Sequence, residues 1–130
     1  MKSYRNDILK FAEKQYGTKP EYLWMSAPNY AVLRHEDNRK WYAIIMNVPR
    51  NRLGLSGESE IDILDIKVDP VISGSLLARE GIIPGYHMNK GHWITVFLDG
   101  TVDKETIYFL LEMSFDITAK KKTKKQKNGT

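Results

Sequence analysis

The chain has 130 residues, 42% hydrophobic and 28% charged, the proportions of a globular domain and not of a disordered polymer. It has no cysteine, which excludes a disulfide framework, thiolate zinc ligation, thiol catalysis and cysteine lipidation. The formal charge of +4 is unevenly placed: Lys120, Lys121, Lys122, Lys124, Lys125 and Lys127 fall in the last eleven positions, while the rest of the chain holds 14 basic against 16 acidic residues.

Between Ser3 and Tyr16 the residues Tyr4, Ile8, Phe11, Ala12 and Tyr16 recur at spacings of three or four, which predicts one amphipathic helix. Ser3 stands where a cap is needed, and Gly17 followed by Pro20 closes the far end. Tyr30–Arg34 and Lys40–Met46 read as strands joined by the polar Glu36–Arg39 segment. The second is apolar on both faces, so it belongs in the middle of a sheet, under helices. Trp41 and Tyr42 are adjacent in it and must point to opposite faces. Val48 to Glu60, with Pro49, Gly54 and Gly57, reads as a long loop. Leu64, Ile66 and Val68 then alternate with Asp65 and Lys67 as a strand with one buried face.

Asp69-Pro70 starts a short helix, the aspartate capping free amides and the proline occupying a position where no N–H is needed. That helix is expected to reach Glu80 and to end at Gly81. Strands near Ile82–Met88 and His92–Leu98 flank Asn89-Lys90-Gly91, a three-residue hairpin loop with the glycine left-handed. Asp99-Gly100 turns the chain, and Asp103 caps a last helix whose inner stripe is Ile107, Leu110, Leu111 and Ile117, with Ser114 among them. The order α-β-β-β-α-β-β-α is that of an α+β two-layer sandwich with an antiparallel sheet. Residues 1–118 form one domain, and 119–130 form a basic tail.

Chemistry is sparse along this chain. Nucleophile elbow, P-loop and dinucleotide fingerprint are all missing, and Gly54-Leu55-Ser56-Gly57 lacks the strand–turn–helix setting of a catalytic serine. His35, His87 and His92 have neither an HExxH motif nor cysteine companions, so they read as structural imidazoles. No catalytic residue, metal or cofactor is expected. Tyr22, Trp24 and Tyr86 are placed to line a groove. The amino-terminal residues carry no apolar signal core and no run nears membrane-spanning length, so a cytoplasmic chain without a membrane segment is expected. The lysine run points to a polyanion, held through phosphates without sequence preference.

Three segments together carry a resemblance. Lys67-Val68-Asp69-Pro70, then Gly85-Tyr86-His87-Met88-Asn89-Lys90-Gly91-His92-Trp93, then Ser114 resemble the MmcQ/YjbR family, over nearly the whole chain to about Thr118. The resemblance implies a two-layer α/β fold similar to type III secretion chaperones and to CyaY. It also implies a double-wing mode of binding double-stranded DNA. The wings would be the Asn89-Lys90-Gly91 hairpin and the Pro49–Glu60 loop, with Arg50, Arg52 and Lys90 on phosphate and His87 and Asn89 offering hydrogen bonds. Glu58 and Glu60 lie in one of those wings, so the tail lysines would supply much of the attraction. A protein- or peptide-binding adaptor is the alternative, followed by a small-molecule pocket near Tyr86, His87 and Trp93.

Overall fold

The structure, a computed structural model, describes residues 2–120. Helix α1 (Arg5–Tyr16) buries Ile8 and Ala12 and ends on Gly17, whose φ of 69° lets its N–H reach the Glu13 carbonyl at 2.9 Å. Ser3 is not the cap residue; Tyr4 is. The Ser3 hydroxyl instead accepts the Arg5 N–H at 3.2 Å and donates to Asp62 at 2.6 Å, tying the helix start to the sheet.

Strands β1 (Ala31–Arg34), β2 (Trp41–Pro49), β3 (Glu60–Lys67), β4 (Ile82–Pro84) and β5 (Trp93–Phe97) form one antiparallel sheet in the order β1-β2-β3-β5-β4. Helices α2 (Pro70–Leu77) and α3 (Lys104–Thr118) complete the α-β-β-β-α-β-β-α order. Both later caps form as the sequence predicts: Asp69 accepts the Val71 N–H at 2.9 Å and Asp103 the Thr106 N–H at 3.1 Å.

All three helices contribute to one face of the sheet, where Ile8, Ile45, Leu64, Ile66, Ile94, Val96, Ile107 and Leu111 form the main core with Leu76 and Leu77 of α2 packed against it. Ser114, fully buried, donates to the Tyr42 carbonyl and accepts the Lys67 N–H at 2.9 Å, so one hydroxyl pins α3 across β2 and β3. Ile117 is not on the inner stripe. It is 46% exposed, and Thr118 takes the inward position, because 107, 111, 114 and 118 keep to one side of a 3.6-residue period.

The opposite face corrects a second expectation. Strand β2 is central and apolar on both sides, yet its second side lies under connecting segments, not helices. Val32, Ile44, Met46, Val48, Ile61, Ile63 and Phe97 are roofed there by Leu53, Leu55, Tyr30, Tyr86 and Met88. A register shift between Leu33 and Arg34 directs Tyr42 to the helix side and Trp41 to the loop side.

The long loop read from Val48 to Glu60 is mostly strand at its ends, since Pro49 pairs with Glu60 and a 3-10 turn over Arg50–Leu53 occupies the bend. The polar Asn47 and Asp62, opposite each other in register, hide the alternation that continues through Val48 and Ile61. The second hairpin is wider than predicted. Gly85 lies so close to Trp93 that a Cβ would sit 2.8 Å from the Trp93 Cβ, and the ladder ends at the Gly85 N–H to Trp93 carbonyl bond of 3.0 Å. Residues 86–92 then leave the ladder, and His87, not Gly91, is left-handed at φ 61°. Helix α2 likewise stops at Leu77, short of Glu80, with the Arg79 N–H turning back to the Leu76 carbonyl at 3.0 Å.

Both sheet edges are short. Val32 on β1 exchanges two backbone bonds with Glu21, at 2.9 and 3.0 Å, and the Glu21 carboxylate is held by Arg34 at 2.6 Å. β4 is three residues long and ends in Pro84.

Candidate functional site

The cations singled out from the sequence do not gather at one place. Arg50 and Arg52 sit in the turn after β2, at the Pro49–Glu60 end of the sheet, where the Arg50 guanidinium is spent on the Ser56 carbonyl at 2.9 Å. Arg52 is exposed, as are Glu58 and Glu60 in the same connection. His87, Asn89 and Lys90 lie in the loop that joins β5 at the other end, where Trp93 pairs with Lys67. From Glu60 to Lys67 along β3 is about 23 Å at ~3.3 Å per residue, so the two loops are rooted at opposite strand ends. Within its loop, Lys90 donates to the Gly85 carbonyl at 2.9 Å, and the Asn89 side chain accepts the Gly91 N–H at 3.0 Å. His87 stacks on Tyr86 with centroids 4.0 Å apart.

The carboxyl end of α3 lies at this second end. Thr118 hydrogen-bonds His35 at 2.8 Å, and its carbonyl accepts from Asn38 at 2.9 Å, so Lys120 departs beside the β1–β2 turn. Lys121, Lys122, Lys124, Lys125 and Lys127 lie outside the described residues. His35 itself is buried against Tyr42 and Phe115, and that burial lowers its pKa, keeping the ring neutral. Among the described residues no three His, Asp or Glu side chains converge as a metal would require.

One titratable group escaped the sequence reading. Asp65 on β3 is fully buried on the loop-roofed face, between Ile44 of β2 and Thr95 of β5. Its Oδ1 accepts the Thr95 hydroxyl, which in turn accepts the Tyr86 N–H at 2.8 Å, while Oδ2 has no partner. Burial pushes its pKa up to about 7, against the opposing pull of the Thr95 bond and the Lys90 charge. The signal was present: 61, 63 and 65 share a face by period two, and the first two are isoleucines.

One strand over from Asp65, which does not itself line it, is a pocket of about 350 Å³, floored by Ile44 and Met46 and lined by Trp24, Ser26, Ala27, Tyr30, Trp41, His87 and Met88. Of Tyr22, Trp24 and Tyr86, expected to line a groove, only Trp24 lines this pocket, and of Tyr86, His87 and Trp93, expected around a small-molecule site, only His87 does. Trp93 is buried, and Tyr22 lines a separate polar cleft with Lys2, Arg5 and Asp62.

The fold and sequence both have relatives. A family model described as YjbR matches residues 13–117. The chain is 52% identical to YyaQ of Bacillus subtilis over 114 residues, covering 88% of this chain and 97% of that protein. It is 34% identical to YjbR of Escherichia coli K12 over 53 residues, 40% of this chain and 45% of that one. A crystal structure of a Pseudomonas syringae protein superposes with a TM-score of 0.86 at 46% identity, covering 88% of this chain and 98% of that one. A Deinococcus radiodurans protein with a DUF419 domain gives 0.71 at 26% identity, covering 99% and 88%.

Proposed function

This chain belongs to the YjbR family, and from that premise we propose that it is a non-enzymatic protein that binds duplex DNA through phosphate contacts. One observation carries the reading: the lysine-rich segment begins at the strand end that also presents Lys90, Asn89 and His87. Cations rooted at one strand end can share neighbouring phosphates, whereas Arg50 and Arg52 are rooted at the other. The DNA face in this reading is therefore the 85–92 loop with the tail, and the β2–β3 turn is a bystander.

Retardation of random-sequence duplex DNA tests it. Six tail lysines on phosphate give a log–log salt slope of up to about −5, and truncation after Ala119 should flatten it. Lys90→Gln should weaken binding uniformly across sequences, and Arg52→Gln should leave it unchanged. Affinity that ignores salt, or that survives truncation, defeats the proposal.

A specific observation favours a protein- or peptide-binding adaptor as the second reading. Tyr22, Leu23, Trp24 and Met25 are consecutive and 53%, 45%, 37% and 99% exposed, a run of apolar surface that water does not favour. A partner retained in high salt by the truncated protein, and lost on Met25→Glu, would support that reading over the first.

A further inference from the structure

Aromatic ring faces carry partial negative charge, and a carboxylate buried in low dielectric is poorly screened. The loop-roofed face brings the two together. Trp24 meets Trp41 at 89° and Tyr30 at 74°, with centroids 5.8 and 6.0 Å apart. Rings set at such angles offer no parallel slot for a planar base. They make the walls of a corner, which suits a compact rounded group. Ile44 on its floor is the register partner of Asp65, so the acid's backbone is about one strand spacing away, ~5 Å, with its side chain on the same face. Asp65 has an oxygen without a partner, and the Tyr86 amide that closes over it leads directly into the His87–Met88 wall.

We infer that the corner formed by Trp24, Tyr30 and Trp41 binds a compact organic cation, a methylated or quaternary ammonium group, with Asp65 as its buried counter-charge. The volume of about 350 Å³ suits such a head group. A quaternary ammonium also needs no hydrogen-bond acceptor, which suits a lining made mostly of aromatic and aliphatic side chains, with Ser26 among them. The inference is independent of DNA binding, since it uses neither the tail nor any phosphate contact.

A bound cation favours the carboxylate form of Asp65, so affinity should rise with pH. The groups facing Asp65 are the Thr95 hydroxyl from β5, the Lys90 ammonium from the loop, and the Tyr30 phenol. Lys90 is exposed and its repulsion is screened by water. His87 lines the same pocket, so the comparison is made in a His87→Gln background.

The test is titration of the full chain with choline, followed through the indole N–H signals in NMR spectra. Choline should shift Trp24 and Trp41 saturably and leave the buried Trp93 in place. Its uncharged carbon isostere, dimethylbutanol, should bind about tenfold more weakly, as a desolvated cation–π contact implies. Choline affinity should rise by up to about tenfold between pH 6 and pH 8 and lose that rise in Asp65→Asn. Trp24→Leu, at a position 37% exposed, should cost about tenfold whatever Asp65→Asn does to the fold, with the native amide dispersion of the variant's spectrum as its folding control. Equal binding of choline and its isostere, no saturable shift with choline, or full affinity in Trp24→Leu would each overturn the inference.

Discussion

Asp65→Asn should abolish a loss of stability that the native chain suffers between pH 5 and pH 8. The carboxyl has an ordinary pKa of 3.8 when solvated and about 7 when folded, so between those values the folded state holds a proton that the unfolded state has released. Stability from this group is therefore greatest in acid and falls as pH rises through about 7. The cost of burying the ionised form, fully present above that range, has an upper limit of about 4 kcal/mol, at ~1.36 kcal/mol per pKa unit. Asparagine keeps an acceptor for the Thr95 hydroxyl and cannot ionise. It places an amide where Oδ2 has no partner, which costs about 1–3 kcal/mol at every pH. The two proteins should thus exchange rank: the variant weaker at pH 4, where little of that cost has accrued, and stronger at pH 8. Urea unfolding at both values measures this, and a native chain equally stable at each would contradict it.

Gly85→Ala should detach the 85–92 loop from an otherwise intact sheet. The new Cβ would lie 2.8 Å from the Trp93 Cβ and 2.9 Å from its carbonyl oxygen, and a backbone oxygen cannot rotate away as a side-chain tip can. Separation of the two chains would break the Gly85–Trp93 bond and draw the Tyr86 amide off Thr95. It would also move the carbonyl that anchors Lys90. Overpacking of this kind costs about 1–3 kcal/mol. Amide exchange should quicken across Tyr86–Met88 and stay slow in β2 and β3. Gly74→Ala is the control: nothing lies within 4 Å of its Cβ, so inside α2 the change should be neutral or gain about 0.5–1 kcal/mol. Equal exchange rates in the two variants would mean that Gly85 is not what seats the loop.

Much of the architecture was legible because its determinants are local. Asp69 and Asp103 cap helices through their own neighbours, and the helical stripe through Ile8 and Ala12 needs no distant contact to be read. The failures share a cause. Gly85 is conformationally ordinary and matters only because Trp93 comes to rest against it, so its role exists only after folding. The left-handed residue was assigned to Gly91 on steric grounds, but the turn formed by Asn89 around its own carbonyl moved that conformation to His87. The covering of β2 could not be read either. Apolar residues on both faces demand a cover without saying whether helix or loop provides it, and the aromatics of the connecting segments did. The same blindness hid Asp65, since an acid on a strand facing loops looks like one facing water.

The sheet's borders bear on how this chain coexists with others in a crowded cell. A strand with open amides invites a neighbour to add on, the first step of domain exchange and of fibril growth. Here one border is already occupied by a segment of the same chain, fixed through Glu21 and Arg34, and the other is too brief for a ladder and stops at a residue with no amide proton to give. At these two borders of the described sheet, association is left to side chains, which places it under the control of surface chemistry and not of backbone stickiness.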